Sequence, residues 1–314
     1  MIRLRTILLS CLNTLLLLVP DARATAAESA APLVIGETFT IDSGILDETR
    51  RINVYFPPGY AESDSVRVPV LYMPDGGLGE DFLHVAGLVQ VSVGNGTMRP
   101  FLLVGIENTQ RRRDMTGPTD NEQDKKIAPR VGGSEVFRRF IRDELMPHVR
   151  ARYRTEDESA IVGESLAGLF VVETFLLEPE LFDTYVAFDP SLWWNNQKLV
   201  RGAAERLRSR PDLDKTLYFA SSDEPGIIET AEKLAQALIT NAPSRTRWHY
   251  EKMPDEKHST LYHPAALRAF RAVFAVPKAA ESPRPSAPPG AGSGHRRLRG
   301  DTGANRGARR SPGA

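Results

Sequence analysis

The apolar residues of the chain alternate between two spacings. Five short runs are apolar almost without interruption, as is typical of strands buried on both faces of a sheet: 68–73, 101–106, 160–163, 185–188 and 216–220. Longer segments carry apolar residues at helical spacing: 81–91, 134–153, 165–177, 197–208, 227–240 and 260–274. A hairpin-like opening near 51–57 precedes these runs, and a last strand is predicted at 247–251. The alternation predicts an α/β fold with a mostly parallel sheet and helices on both faces.

The two ends of the chain depart from this pattern. Arg3 and Arg5 precede an apolar run that is short for a membrane anchor, and Ala24-Thr25-Ala26 resembles a signal-peptidase site. Residues 1–26 are therefore predicted to be a signal peptide, which implies a periplasmic or secreted protein. Residues 277–314 are rich in Pro, Gly and Arg and are predicted to be a disordered tail. Residues 27–276 remain, and they are enough to form one α/β domain with a substantial core.

The zero net charge of the 314 residues conceals an uneven distribution. The tail carries eight Lys or Arg residues against two acidic ones, so the predicted domain is acidic. The tail could contact anionic surfaces, although a solvated extension without function is the simpler interpretation, and no nucleic-acid partner is expected. The single cysteine, Cys11, lies in the predicted signal peptide. This position excludes disulfides and a cysteine nucleophile from the mature protein.

The strand predicted at 160–163 runs into a serine that is flanked by small residues. The segment reads Gly163-Glu-Ser165-Leu-Ala167-Gly and continues into an apolar helix. A serine on such a strand-to-helix turn is typical of the nucleophile elbow of α/β hydrolases. Strand and helix pass so closely there that the residues two before and two after the serine must be small. Ser165 is thus the candidate nucleophile, with Ala167 standing where glycine is usual.

A serine hydroxyl needs an imidazole base, and a carboxylate usually orients that imidazole. In this fold both partners follow the serine along the chain, on loops after later strands. His258 lies after the last predicted strand and is the candidate base, with His263 as the alternative. Asp223 and Glu224 both follow the strand at 216–220. Glu224 is the candidate acid because Pro225 opens the next helix directly after it, which leaves the other carboxylate to cap that helix.

The oxyanion hole of such an enzyme needs two backbone N–H groups near the reacting carbonyl. Leu166 follows the nucleophile and opens a helix, so its N–H is the first candidate donor. The loop after the strand at 68–73 contains adjacent glycines, which let the backbone approach a ligand. Gly77 is the second candidate, and a plain glycine turn is the alternative.

Two further positions are candidates for substrate binding. Trp193 and Trp194 follow a strand end, where aromatic faces could stack on a substrate; a pair of core-capping tryptophans is the alternative. Arg111 follows the strand at 101–106 and could clamp a carboxylate or phenolate, or belong to a solvated charged loop. The sequence contains no HExxH, P-loop or GxGxxG motif, so no metal and no cofactor is expected.

Several motifs in order along the chain resemble the Putative esterase family of α/β hydrolases, which includes esterase D-like and enterochelin esterase-like enzymes. They are Leu71-Tyr-Met-Pro-Asp-Gly-Gly, Val104-Gly-Ile-Glu-Asn-Thr, Gly163-Glu-Ser-Leu-Ala-Gly-Leu-Phe, Pro179-Glu-Leu-Phe-Asp-Thr-Tyr and Asp189-Pro-Ser-Leu-Trp-Trp-Asn-Asn. The resemblance spans about Val34 to Phe274. It implies an esterase that cleaves a small-molecule carboxylic ester through an acyl-enzyme, without a cofactor.

Carried over by position, the resemblance implies Ser165 as nucleophile, His258 as base and Glu224 as acid. Glu164 stands where the family often has histidine, and this extra carboxylate could raise the pKa of the imidazole or disfavour anionic substrates. A siderophore-esterase-like substrate is one expectation. The alternatives are an acyltransferase that serves a sugar or lipid acceptor, and a non-catalytic binding protein on the same scaffold.

Overall fold

The computed structural model describes residues 30–277. The predicted signal peptide, and the predicted tail from residue 278 onward, lie outside the described residues. The described chain up to Ala275 forms one compact unit. No helix between residues 30 and 277 has the length and apolar character needed to cross a membrane.

Eight strands form one sheet, in the spatial order β1-β2-β4-β3-β5-β6-β7-β8. Strands β1 and β2 pair antiparallel and β2 joins β4 antiparallel, whereas every other neighbouring pair is parallel. The strands are β1 Gly36–Ser43, β2 Glu48–Tyr55, β3 Val68–Pro74, β4 Leu102–Ile106, β5 Thr155–Glu164, β6 Thr184–Phe188, β7 Thr216–Ser221 and β8 Arg247–Lys252. The predicted α/β fold is confirmed, and the carboxyl ends of β3 to β8 meet at one edge.

Helices cover both faces of this sheet. They are α1 Phe82–Gly94, α2 Arg111–Asp114, α3 Ser134–Phe140, α4 Met146–Arg152, α5 Leu166–Leu177, α6 Trp194–Arg201, α7 Ala203–Arg208, α8 Pro225–Asn241 and α9 Tyr262–Val273. One core layer packs α1 and α9 against the sheet, and the other packs α3 to α5, α7 and α8. The fully buried strands β3, β4 and β6, and the buried parts of β5 and β7, therefore read as apolar runs, because each face of the sheet contacts a helix layer.

Two helical segments differ from the sequence expectation. The helix expected at 134–153 is interrupted by a π-helical turn at Ile141–Leu145, which separates α3 from α4. The helix expected at 197–208 is divided by Gly202 and begins in a left-handed turn, where Asn195, Asn196 and Gln197 all have positive φ. A segment distant in the sequence, between α2 and α3, holds this turn, because the Asp124 carboxylate accepts the Asn195 N–H at 2.8 Å. Helical periodicity alone does not report such tertiary contacts.

The turn between β5 and α5 has the geometry expected of a nucleophile elbow. Ser165 has φ 59° and ψ −116°, a region that side chains rarely adopt. A Cβ on Gly163 would lie 2.7 Å from the Ala167 Cβ, and one on Gly168 would lie 2.8 Å from the Phe188 carbonyl oxygen. The methyl group of Ala167 is therefore tolerated only because Gly163 has no side chain. The close approach of α5 to the end of β6 occurs at Gly168, which must also lack a side chain.

This close packing predicts opposite effects for two glycine substitutions. Gly163→Ala should lower the free energy of unfolding by about 2–3 kcal/mol, because strand and helix would have to separate. A Cβ on Gly87, inside α1, would meet no other atom within 4 Å, so Gly87→Ala should raise stability by up to about 1 kcal/mol. Urea unfolding of both variants measures the difference, and equal stability of the two would contradict the packing argument.

Candidate active site

Four polar side chains lie at the carboxyl edge of the sheet. Ser165 follows β5, Asp189 follows β6, Ser222 follows β7, and His258 lies in the loop between β8 and α9. Because β5, β6, β7 and β8 are consecutive neighbours in the sheet, their following residues share one rim. Ligands of open α/β sheets bind at this rim.

Backbone hydrogen bonds join the Ser165 elbow to the segment that follows β6. The Ser165 N–H donates to the Phe188 carbonyl at 2.9 Å, and the Ser191 N–H donates to the Ser165 carbonyl at 3.0 Å. These two bonds lie on either side of Asp189 in the sequence, so they fix the position of Asp189 relative to the serine. The Ser191 hydroxyl also lies 3.5 Å from the Ser165 hydroxyl.

The carboxylate of Asp189 holds the His258 ring. His258 Nδ1 lies 3.0 Å from Asp189 Oδ2, and the Ser222 N–H donates to Asp189 Oδ1 at 2.6 Å. Asp189 is completely buried, so both carboxylate oxygens have a donor, as burial of a charge requires. Its φ of 41° lies in the left-handed region, which aspartate enters more readily than most residues.

This contact determines the chemical role open to the imidazole. A carboxylate can only accept a hydrogen bond, so Nδ1 carries the proton and Nε2 of a neutral His258 is left as a base. The His258 side chain is 40% exposed, which leaves the ring accessible from solvent. Within the described residues the ring makes no hydrogen bond to the Ser165 hydroxyl; in free enzymes such bonds are often long and tighten when substrate binds.

The acid expected from the sequence, Glu224, makes no hydrogen bond to the His258 ring within the described residues, although its charge acts on that ring. Glu224 is exposed and directly precedes α8, where its carbonyl accepts the N–H of Ile228 at 2.9 Å. The neighbouring Asp223 forms an ion pair with Lys257. The carboxylate that meets the imidazole thus follows β6 rather than β7, because Asp189 is buried against the His258 ring whereas the Glu224 side chain is exposed.

The alternative base, His263, has a different partner. Its Nδ1 lies 3.0 Å from His84 Nε2, and the two rings stack at 5.0 Å between centroids. This pair joins the first turns of α1 and α9, away from the Asp189 carboxylate.

The two expected oxyanion donors differ in their surroundings. Leu166 opens α5, and the first N–H groups of a helix have no partner within that helix. The Gly77 N–H, in contrast, donates to Glu80 Oε2 at 2.7 Å, within a turn closed by the Glu80 N–H and the Gly77 carbonyl. Gly77 therefore becomes available to a substrate only when the Glu80 carboxylate turns away.

The candidate substrate-binding residues differ in whether other contacts already occupy them. Trp194 is buried, and its Nε1–H donates to the Gly117 carbonyl at 2.8 Å, which makes it part of the core. Trp193 remains 37% exposed and follows the Asp189–Ser191 segment. Arg111 binds Asp75 with two hydrogen bonds of 2.6 and 2.8 Å. Arg111 thereby holds the loop after β3 in place rather than lying free to clamp a substrate.

The His258 ring lies among negative charges. Its hydrogen bond to Asp189 is the largest cause of a raised pKa, burial opposes the shift, and the charges of Glu164 and Glu224 add to it. Burial raises the pKa of Glu164 to about 7, the positive charge of His258 opposes this, and the carboxylates of Asp81 and Asp189 increase it. The base should consequently need a higher pH than a free imidazole to become neutral.

Sequence reasoning missed Asp189 and Ser191 as site residues. A carboxylate directly after a fully buried strand was the available signal, since the run Tyr185-Val-Ala-Phe ends at Asp189. The acid was expected after β7, and Glu224 is the carboxylate that lies there directly before a proline. Asp75 was also missed, because only the structure brings it to Arg111 and to Asn108, whose side-chain amide donates to it at 2.5 Å.

Comparison with known proteins agrees with this architecture. The family described as Putative esterase matches residues 43–275. Ferri-bacillibactin esterase BesA of Bacillus subtilis is 31% identical over 176 residues, which cover 52% of this chain and 54% of that protein. The siderophore triacetylfusarinine C esterase of Aspergillus fumigatus is 37% identical over 98 residues, 30% of this chain and 32% of that protein. The chain thus aligns with about half or less of the length of these relatives.

A solved structure extends the comparison. The IroE-like serine hydrolase from Shewanella oneidensis superposes with a TM-score of 0.69 and 28% identity, covering 76% of this chain and 80% of that one. The α/β serine hydrolase architecture is therefore common to both proteins.

The contact between His258 and Asp189 predicts unequal effects of removing two carboxylates. Asp189→Asn should lower kcat/KM for p-nitrophenyl butyrate by roughly 10²- to 10⁴-fold, because an amide can no longer fix the tautomer and stabilise the imidazolium. Glu224→Gln is the matched control and should stay within about twofold, since its side chain is exposed. A larger loss in Glu224→Gln than in Asp189→Asn would contradict the assignment.

The raised pKa of His258 predicts the pH dependence of the reaction. If His258 is the base, only its neutral imidazole can accept the serine proton, so kcat/KM should rise with pH through an ionisation above the ordinary histidine value of about 6.5. Glu164→Gln should move this inflection to lower pH because it removes a negative charge that favours the imidazolium. Glu205→Gln, which removes an exposed charge on α7, should leave it in place. An inflection that Glu164→Gln does not move would contradict the electrostatic argument.

Proposed function

The chain belongs to the Putative esterase family of α/β hydrolases, and from this premise we propose that it hydrolyses carboxylic esters with Ser165 as the nucleophile. One observation carries the proposal more than any other. The elbow serine is tied by backbone hydrogen bonds to the segment that bears Asp189, and Asp189 holds the His258 imidazole at 3.0 Å. Nucleophile, base and orienting carboxylate therefore come from neighbouring positions on one rim.

The reaction follows from the proton positions. Neutral His258 takes the Ser165 proton at Nε2 while the serine oxygen attacks the ester carbonyl, and the imidazolium is stabilised by Asp189. The same imidazolium then gives its proton to the departing alcohol, which leaves an acyl group on Ser165. Water then attacks this ester while His258 Nε2 takes its proton, and the imidazolium returns that proton to the Ser165 oxygen as the carboxylic acid leaves.

The oxyanion of each tetrahedral intermediate needs fixed donors. The Leu166 N–H lies beside the nucleophile at the start of α5, where the helix dipole also favours negative charge. Gly77 is the second donor in this proposal, and its N–H is released when Glu80 turns from it. Such a donor contributes about 3 kcal/mol to transition-state stabilisation.

Siderophore esters are the substrate class that the relatives support. Two of the similar proteins are named for such an activity: ferri-bacillibactin esterase and siderophore triacetylfusarinine C esterase. The exposed His258 and Trp193 leave the rim accessible to a bulky ester. The predicted signal peptide at residues 1–26 places the enzyme in the periplasm or outside the cell in this proposal, where an iron carrier would reach it.

The proposal predicts that a fluorophosphonate probe labels one serine. The wild-type protein should be labelled and should cleave p-nitrophenyl butyrate, and Ser165→Ala should lose both properties because Ser165 is the hydroxyl that the elbow presents to the base. Ser191→Ala is the control, since its hydroxyl lies only 3.5 Å from that of Ser165; this variant should still be labelled. Mass spectrometry of the labelled peptide identifies the site, and labelling that persists in Ser165→Ala would refute the proposal.

A further inference from the structure

Glu164 occupies a position that the proposed mechanism does not use. It is the last residue of β5 and directly precedes the nucleophile. Its register partner on β6 is Phe188, which directly precedes Asp189. Side chains alternate along a strand, so Glu164 lies on the same face as Val162, which packs in the core layer beneath α1 and α9. The Glu164 carboxylate therefore lies at the end of that core layer nearest the rim that carries Ser165 and His258.

The charge of Glu164 is not balanced by a partner. Within residues 30–277 its carboxylate makes no hydrogen bond and no ion pair, although it is half-buried. The charge of Glu164 acts on the guanidinium of Arg111. Two nitrogens of that guanidinium, however, already donate hydrogen bonds to Asp75. A structural role would favour a partner or an uncharged side chain here, because an unpaired half-buried carboxylate lowers stability.

The surrounding groups add to this negative charge. The carboxylates of Asp75, Asp81 and Asp189 act on Glu164, and the nearby cations are His258, when protonated, and Arg111. Burial raises the pKa of the Tyr262 hydroxyl of α9, and the carboxylates of Asp81, Asp75 and Glu164 add to the shift. Among the described residues no three His, Cys, Asp or Glu side chains are grouped as a metal site requires. The four carboxylates, Glu164 included, thus outnumber the two cations, which leaves net negative charge beside the segment that carries Ser165.

We propose that Glu164 determines the charge of the substrate, so that the site accepts neutral or cationic esters and rejects esters with an anionic group near the scissile carbonyl. This inference rests on the proposed esterase function and narrows its substrate class. Attack by serine also creates negative charge on the carbonyl oxygen, and an anionic acyl or alcohol group would add to the repulsion in the transition state.

The inference separates two classes of ferric siderophore ester. Each hydroxamate group cancels one positive charge of ferric iron, so a tris-hydroxamate complex is uncharged. Each catecholate group carries two negative charges, so a tris-catecholate complex remains a strongly charged anion. The rim described here suits the uncharged complex, and long-range repulsion should lower the association rate of the anionic one at low ionic strength.

The test compares two esters of similar length, p-nitrophenyl butyrate, which is neutral, and p-nitrophenyl hemisuccinate, which is anionic. The measured quantity is the ratio of their kcat/KM values in the wild-type enzyme, E164Q and E205Q, at about pH 8.5, which lies above the pKa of about 7 of Glu164 and so keeps its carboxylate ionised. Intrinsic reactivity of the two esters cancels when the ratios are compared between variants. E164Q keeps the size and shape of the side chain, and E205Q removes an equal charge from an exposed site on α7.

We expect E164Q to lower the preference for the neutral ester by roughly fivefold to tenfold, mainly by improving hydrolysis of the anionic ester, while E205Q leaves the ratio unchanged. The effect should diminish as salt is added, since ions screen the repulsion. A ratio that is the same in all three proteins would overturn the inference, although hydrolysis itself would still support the esterase function. Failure of the wild-type enzyme to cleave any ester would instead refute the proposed function.

The siderophore comparison is the second arm of the same test. Hydrolysis of a ferric tris-hydroxamate ester should be faster than that of a ferric tris-catecholate trilactone, and E164Q should narrow the difference. Faster cleavage of the tris-catecholate complex by the wild-type enzyme would overturn the inference.

Discussion

The buried carboxylate of Asp189 is the interaction on which the site depends. It joins three parts of the molecule: its own strand end after β6, the backbone of Ser222 after β7, and the His258 loop after β8. Because the Asp189 oxygens are buried, each must have a donor, and the two donors fix the loops that provide them. The imidazole is thus oriented by the same contacts that close the rim of the sheet.

A second network supports the opposite side of the rim. Arg50 of β2 is buried against Asp114, the last residue of α2, and Arg113 binds both Asp114 and Glu48. These ion pairs anchor α2, whose first residue, Arg111, holds the loop after β3. The geometry of the loop after β3, which carries the candidate donor Gly77, therefore depends on residues far from Ser165. The buried carboxylates around Glu164 are held by arginine, asparagine, histidine or backbone donors, whereas Glu164 and Asp81, both half-buried, make no side-chain hydrogen bond or ion pair within residues 30–277.

Much of this architecture could be predicted from the sequence, because it depends on local patterns. Unbroken apolar runs marked the buried strands, and Gly163 with Ser165 marked the elbow, where steric limits act between residues only a few positions apart. The family, the fold and the esterase class are confirmed by the comparisons. The roles of Ser165, His258, Leu166 and Gly77 remain predictions, and so do the signal peptide and the export of the protein.

The sequence could not show which carboxylate reaches the imidazole, because that depends on strand order and side-chain direction. Glu224 and Asp189 both follow buried strands, and only the three-dimensional structure shows that Asp189 is buried against the His258 ring while Glu224 is exposed. The left-handed turn at Asn195 was equally hidden, since a distant loop stabilises it. Trp194 and Arg111 have suitable chemistry for binding, but contacts with Gly117 and Asp75 already occupy them.

The most direct test of the account is proton NMR of the enzyme inactivated at serine by a diethyl phosphoryl probe, which leaves the imidazole protonated. The proton on His258 Nδ1 should give a strongly downfield resonance, because it lies in a hydrogen bond to a buried carboxylate. The account predicts this resonance in the wild-type protein and in Glu224→Gln, and its loss in Asp189→Asn. A resonance that survives in Asp189→Asn and disappears in Glu224→Gln would contradict the central claim.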